Sequence, residues 1–424
     1  MGNSSNIDTI NKYLEAMHIE VNPSKNYQDG ITLVLTKISK FYKNKPFSEM
    51  NRQDIIKFLD SYRKSDGIDT MHKWIGTYNN YLVTLTRFFK WLYNPTTGPK
   101  QRTKPEVVQN IHALKRKEQS IYKPTDLWTK EDDLLFLRHC PNVRDRCYHT
   151  ISRDLSARPH EILSLRIKDI VFKNSGNRQY AECLANGKTG TRQLPLIDSL
   201  PYVKDWLDQH PRRNTQKSYL ICSLDRKNFG GRMTRHGIMN IYRRYRDHYF
   251  PKLLENTDLS IEEKQKIVEL LKKPWNPYIR RHSALTEKSK FLRENTLRQH
   301  AGWSGRSQMH LKYLHYFGNE SNNSILQEYG IVPKDNEEIN VLKTKQCTNC
   351  NEPNRPDQKF CVNCKMALTF EAYTEKDDHL VSLEKQIDRL QKDMRILMHA
   401  DKRKARLIHN PELEHKVKMR KAKR

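Results

Sequence analysis

A mainly α fold with one small antiparallel β-sheet, an α+β chain of several units, is what this sequence predicts. Three observations carry that reading. Apolar residues recur at helical spacing through most of the first 330 positions, strand character is confined to about residues 180–197, and 424 residues exceed what one hydrophobic core usually organises. Apolar residues at 36% and charged residues at 30% suffice for real cores but leave length for solvated helix, linker and tail. The 77 Lys and Arg against 49 Asp and Glu give a formal charge of +28. Such an excess favours a polyanionic partner through phosphate contacts and counterion release, with nucleic acid first among candidates.

An anionic membrane surface would also attract such a charge, but membrane residence is disfavoured, since no run approaches the roughly 18 uninterrupted apolar residues of a span. Met1 to Asn6 lacks the apolar core of a signal peptide, and Asn6 stands where a myristoylation motif needs Ser or Thr, so a cytoplasmic protein is expected. Of eight cysteines, four form one metal-type cluster, and Cys140, Cys147, Cys183 and Cys222 read as core residues.

In chain order, the first unit (1–120, with its linker) is all helical. Tyr81, Leu82, Leu85, Phe88, Phe89 and Leu92 mark one buried face. Asn51 with Asp54 three residues on resembles a helix start leading into Ile55, Phe58 and Leu59, and the Asn94-Pro95 step with Gly98-Pro99 stops the next helix. The stretch to about 125, densest at Lys115-Arg116-Lys117, suits a linker laid along DNA or a solvated charge run. A second unit, 126–330, is helical except for short strands at 179–184 and 193–197 about the glycine-containing turn 186–190. A cysteine segment (343–368) and an amphipathic helix with a basic tail (376–424) follow.

Breaking a phosphodiester while keeping its energy needs a nucleophile that holds the phosphate covalently, and phenolate is both nucleophile and tolerable leaving group. Two guanidiniums from different elements suit the charge growing on the non-bridging oxygens, and a Lys can protonate the leaving 5′ oxygen. Four segments bear this chemistry in one order: the 155–165 stretch around Arg158 and Glu161, the 187–196 hairpin with Lys188, the 278–284 stretch with Tyr278 and Arg281, and 297–315 with Trp303 and Tyr313. In order and spacing they resemble the tyrosine recombinases of the phage-integrase kind, over about residues 7–318.

That resemblance implies a helical core-binding domain before a catalytic domain. It implies Tyr313 as nucleophile, Arg158 and Arg281 as phosphate ligands, Glu161 as supporting acid, and Lys188 as acid for the 5′ hydroxyl. Trp303 falls where the family carries His or Trp. Tyr278 replaces the usual His, as in archaeal integrases, and a phenol donates a hydrogen bond but is a poor base near neutral pH. The implied reaction passes through a 3′-phosphotyrosyl enzyme, without ATP or catalytic metal, on double-stranded DNA attachment sites, in a homotetramer. A non-catalytic DNA-binding regulator and a type IB topoisomerase are the alternatives. Taken singly, Arg158 reads as a surface charge and Tyr313 as core; His282, His310 and His315 read as structural.

Cys347, Cys350, Cys361 and Cys364 form two Cys-x-x-Cys knuckles ten residues apart, the spacing of a structural zinc ribbon. Leu380, Leu383, Ile387, Leu390, Met394 and Leu397 alternate at three and four, an apolar seam that suits a coiled coil or packing on the same chain.

Overall fold

The computed structural model describes residues 4–116, 122–187, 190–305, 307–314 and 340–408, with 415–416, 418–419 and 422. The chain divides into two compact units, Met1–Ile121 and Tyr122–Arg424.

The first unit is built on helices α1 (Ser4–Val21), α2 (Lys25–Phe41), α3 (Arg52–Asp60) and α4 (Trp74–Tyr93). Its core joins Tyr13 of α1, Leu35 and Ile38 of α2, Phe58 of α3, and Leu85, Phe88 and Phe89 of α4. The α3 start is the reciprocal cap that its sequence signals. The Asn51 side chain accepts from the Asp54 N–H, and the Asp54 carboxylate accepts from the Asn51 N–H, an arrangement worth about 1 kcal/mol. Helix α4 ends one residue before Asn94-Pro95. There the buried Arg102 donates to the Asn94 and Pro95 carbonyls and pairs with Glu20 at 2.5 Å. The start of the basic stretch is fastened to this unit: Asn79 brackets the Leu114 backbone, and the Arg116 Nε donates to the Met71 carbonyl. Lys117 and residues 118–121 lie outside the described residues.

The second unit places α5 (Lys130–His139), α6 (Val143–Leu155) and the short α7 (Pro159–Ile162) before a sheet, and helices again after it. The sheet has three antiparallel strands, β1 (Ile170–Ser175), β2 (Arg178–Gly187) and β3 (Gly190–Leu196), in that spatial order. Two strands are expected from the sequence, and the structure adds β1. Only Ile170 of β1 is buried, so no alternation betrays it; the tight turn with Ser175 opposite Arg178 relies on Gly176 at φ +56°. Ala181, Cys183 and Ala185 of β2 and Leu194 and Leu196 of β3 face the core. Beyond lie α8 (Leu200–Asp208), α9 (Arg235–Arg244), α10 (Phe250–Leu253), α11 (Ile261–Lys272), α12 (Pro277–Lys288), α13 (Glu294–Ala301) and α14 (Leu311–Leu314). Cys140, Cys147, Cys183 and Cys222 are all buried.

The four-cysteine segment belongs to this second unit and docks on α8, with Lys204 paired to Glu352 at 2.5 Å and Arg355 to Asp205 at 3.3 Å. A long helix, Phe370–Ile408, follows. On it Leu383, Ile387, Leu390, Met394 and Leu397 are 39–65% exposed, so among the described residues these seam positions are largely uncovered. Most of the basic tail after 408 lies outside the described residues. Among the described residues no helix is long and apolar enough to cross a membrane.

Candidate active site and tetracysteine centre

The site begins where α6 stops. Ser156 takes the left-handed conformation (φ +46°), which ends the helix and turns its carbonyl toward α12. Arg158 then caps α7. The Arg158 N–H donates to Glu161 Oε2 at 2.9 Å, and its Nη1 donates to Oε1 at 2.9 Å. Glu161, with a fully buried side chain, accepts a further bond from Arg192 Nη2 of β3 at 2.8 Å. Burial alone would raise this carboxyl, but the Arg158 N–H, Arg192 and the Arg158 guanidinium outweigh it and hold it below the ordinary range.

Two glycines make room for this arrangement. A Cβ on Gly187 would sit 2.6 Å from Glu161 Oε1. A Cβ on Gly302, already at φ +64°, would sit 1.9 Å from Arg192 Nη1. Arg192 therefore ties three segments together, since its Nη1 also donates to the His300 carbonyl at 3.1 Å.

Arg281 enters from α12. Its Nη1 donates to the Ser156 carbonyl at 2.6 Å and its Nη2 to the Ala301 carbonyl at 2.8 Å, so the guanidinium is held at both ends. Burial, then the neighbouring Arg158 charge, brings it down to about 10, and it stays protonated at neutral pH. Its neighbour Arg280 lies about 100° around the helix and points the other way, fully buried, paired with Asp133 and over the Trp128 ring at 5.1 Å. Adjacent arginines thus have separate tasks.

Tyr313 is 2% exposed and packs with Leu285, Leu297 and Ala301. The Trp303 ring lies near-parallel to it at 5.4 Å, and the His282 ring at 5.7 Å. The Tyr313 Oη is 3.0 Å from His282 Nδ1. The Tyr313 and Arg281 charges influence one another, as do those of Arg158 and Arg281. The structure thus brings Arg158, Glu161, Arg281, Trp303 and Tyr313 into one locality.

Tyr278 lines a cavity with Pro159, Arg235, His236 and Met239, and among the described residues its hydroxyl makes no hydrogen bond. Lys188 lies outside the described residues, between Gly187 and Gly190, which pair across β2 and β3. His310 is buried, with its Nε2 3.1 Å from Arg298 Nη2 and 3.0 Å from Glu294 Oε1, and His315 lies outside the described residues.

Two groups, Arg192 and His300, escape the sequence reading, and a third, His282, is read there as structural only. Arg192 stands within the quoted hairpin, but nothing in its spacing marks it as a partner of Glu161. His300 meets Ser156 Oγ at 3.2 Å, and burial followed by Lys288, Arg192 and Arg281 pushes it down to about 3. His282 stands four residues after Tyr278 on the same helical face, a spacing that could have flagged it. With three guanidiniums around one carboxylate beside a held phenol, the locality can bind a phosphate oxygen and present an oxygen nucleophile.

The four Sγ atoms of Cys347, Cys350, Cys361 and Cys364 all lie within 4.8 Å of one another. The pairs Cys347–Cys364 and Cys350–Cys361 are 3.5 and 3.6 Å apart, close to the ~3.8 Å that tetrahedral Zn–S bonds of ~2.3 Å require. Asn351 and Lys365 at positive φ close each knuckle by donating to the Cys347 and Cys361 carbonyls. The fully buried Asn354 accepts from the Val362 N–H at 2.9 Å and donates toward the Cys361 sulfur at 3.6 Å. The residues present fit a divalent metal of zinc type.

No family model matches the chain, and no curated protein matches it. Solved structures do. XerH site-specific recombinase bound to palindromic difH substrate is 16% identical over 73% of this chain and 81% of that one, with a TM-score of 0.46. A lambda integrase tetramer bound to a Holliday junction is 11% identical over 73% and 76%, with a TM-score of 0.45. The Tn1549 transposon integrase in complex with transposon right end DNA is 12% identical over 76% and 99%, with a TM-score of 0.46. The chain is thus similar to solved structures of a site-specific recombinase and of integrases.

Proposed function

We propose that the chain is a tyrosine-type site-specific DNA recombinase, which cleaves and rejoins DNA through a 3′-phosphotyrosyl intermediate on Tyr313. The observation that carries this reading is the held phenol of Tyr313 beside Arg281, which is anchored at both ends and lies near the Arg158–Glu161–Arg192 cluster. In this reading Arg158 and Arg281 bind the non-bridging oxygens of the scissile phosphate, and Glu161 fixes the Arg158 guanidinium. Trp303 holds the tyrosine ring and offers its indole N–H to the phosphate. Lys188 protonates the leaving 5′ oxygen, and Tyr278 serves as a hydrogen-bond donor. A 5′ hydroxyl from a second duplex then attacks the phosphotyrosine and joins the strands.

The partner is double-stranded DNA at attachment sites, favoured by the +28 charge, and the working assembly is a homotetramer in the cytoplasm. Integration or excision of a mobile element in an archaeal host completes the reading. Cys347, Cys350, Cys361 and Cys364 would hold one structural zinc, which supplies folding energy to the ribbon and takes no part in strand exchange.

The test is incubation with nicked DNA carrying candidate attachment sites, followed by denaturing electrophoresis. The expected result is a protein–DNA adduct with the wild type and none with Tyr313→Phe. DNA binding without adduct on a verified site would replace the enzyme by a DNA-binding regulator. Plasmid relaxation with no site requirement would favour a topoisomerase.

A further inference from the structure

The pair formed by Tyr313 and His282 supports more than a structural contact, and the inference drawn from it rests on the function just proposed. We infer that His282 is the catalytic base of cleavage: its Nδ1 takes the Tyr313 phenol proton as the phenolate attacks phosphorus. Three observations converge. The Nδ1 stands 3.0 Å from the Tyr313 Oη, within the range of direct proton transfer. In the neutral tautomer with hydrogen on Nε2, the hydroxyl donates to Nδ1, and an imidazole is the side chain best matched to accept that proton near neutral pH. Tyr278, four residues earlier on the same helical face, lines a cavity with Pro159, and a phenol is a poor base near neutral pH.

The atoms balance. The O–H bond of Tyr313 breaks and its proton moves to His282 Nδ1. The phenolate oxygen forms the P–O bond, the P–O5′ bond breaks, and the 5′ oxygen takes its proton from the acid assigned to Lys188. In rejoining, the attacking 5′ hydroxyl gives its proton to the amine assigned to Lys188 as P–O5′ forms, the P–O bond to Tyr313 breaks, and the imidazolium returns its proton to the departing phenolate. The geometry holds the base in place from several sides. Rigid α12 carries His282 directly after the doubly anchored Arg281, and the Tyr122 ring lies 5.0 Å from the imidazole. Among the described residues, the titratable and charged groups about it include the Tyr313 and Tyr122 phenols and, beside Tyr313, the Arg281 guanidinium.

The experiment compares single-turnover cleavage by the whole wild-type chain, His282→Ala, His282→Gln and Lys188→Ala. Two nicked DNA substrates are used, one normal and one with sulfur at the bridging 5′ position. A thiolate leaves without protonation, so sulfur substitutes for a missing acid but not for a missing base. Loss of His282 is expected to slow both substrates by about 10²–10⁴-fold, with free imidazole restoring part of the rate to His282→Ala. Lys188→Ala is expected to be slow only on the oxygen substrate. The wild-type pH profile is expected to show a rising limb from the imidazole, which both His282 variants lose.

Wild-type rates in the His282 variants would overturn the inference. So would rescue of those variants by sulfur, or a uniform loss with neither imidazole rescue nor a changed pH profile, since that pattern marks a residue that merely packs the tyrosine. Circular dichroism and DNA binding confirm that the variants fold. A wild type that forms no adduct with either substrate would overturn the functional reading itself, whereas a wild-type adduct with unaffected variants would overturn the role of His282 alone.

Discussion

Alanine at Gly302 is predicted to act through Arg192, more than through the backbone. The backbone cost is about 1–2 kcal/mol, because the residue sits at φ +64°, where a side chain crowds the following carbonyl. The larger effect comes from the added Cβ, which would lie 1.9 Å from Arg192 Nη1. The guanidinium must leave, losing its bonds to Glu161 and to the His300 carbonyl. Hydrogen bonds to charged groups contribute about 1.5–3 kcal/mol each, but Arg192 keeps some solvent access and recovers part of this, so a total near 3–5 kcal/mol is expected. In an Arg192→Ala background the space is already vacant, and Gly302→Ala should cost only its backbone share, about 1–2 kcal/mol. The double-mutant cycle therefore predicts a coupling of about 2–3 kcal/mol. The assay is urea unfolding of the whole chain by tryptophan fluorescence, fitted to the transition that Arg192→Ala itself shifts. Equal costs in both backgrounds, with coupling under about 0.5 kcal/mol, would refute the placement of Arg192 over Gly302.

Other expectations follow from the same geometry. Arg281→Lys keeps the charge but cannot span the Ser156 and Ala301 carbonyls, so adduct formation should fall about 10²–10³-fold while DNA affinity changes little, as gel shift and cleavage rates measured together would reveal. Metal analysis should find one zinc per chain, and a strong chelator should expose the 345–368 segment to protease; Cys361→Ser should lose both the metal and the protection. His149 is held down to about 3 by burial and then by Arg280, against an ordinary value of 6.5, so the unfolded chain binds its proton more readily. Stability should therefore fall as pH drops from about 6.5 toward 3, and the slope measured by urea melts between pH 7 and 5 should flatten in His149→Gln. His300, also held down to about 3, contributes in the same direction.

Much of this was legible in the sequence where the signal is local. The α3 cap, the end of α4, the buried face through Leu82 and Phe89, and the spacing of the four cysteines all depend on neighbours within a few residues. Strand β1 was not, because one buried residue in six leaves no alternation to read. The site divides along the same line. Arg158 and Glu161 lie three residues apart and their pairing is local, whereas Arg192 reaches Glu161 from 31 residues away, and Tyr313 meets His282 across the same separation. Such pairs depend on how the sheet, α12 and α14 come together, which no spacing within a single segment records. The two arginines of α12 illustrate the limit most clearly. Residue type alone cannot tell Arg280, paired with buried Asp133, from Arg281, anchored beside the tyrosine, until the helix is oriented.

The central claim is that Tyr313 forms the covalent bond to DNA, and the most direct measurement is to trap the adduct on nicked DNA, digest it, and identify the linked residue by mass spectrometry. The account predicts a single modified peptide, with Tyr313 joined to a 3′ phosphate and the 5′ end released as a free hydroxyl. An adduct on any other residue, or a bond to a 5′ phosphate, would contradict it.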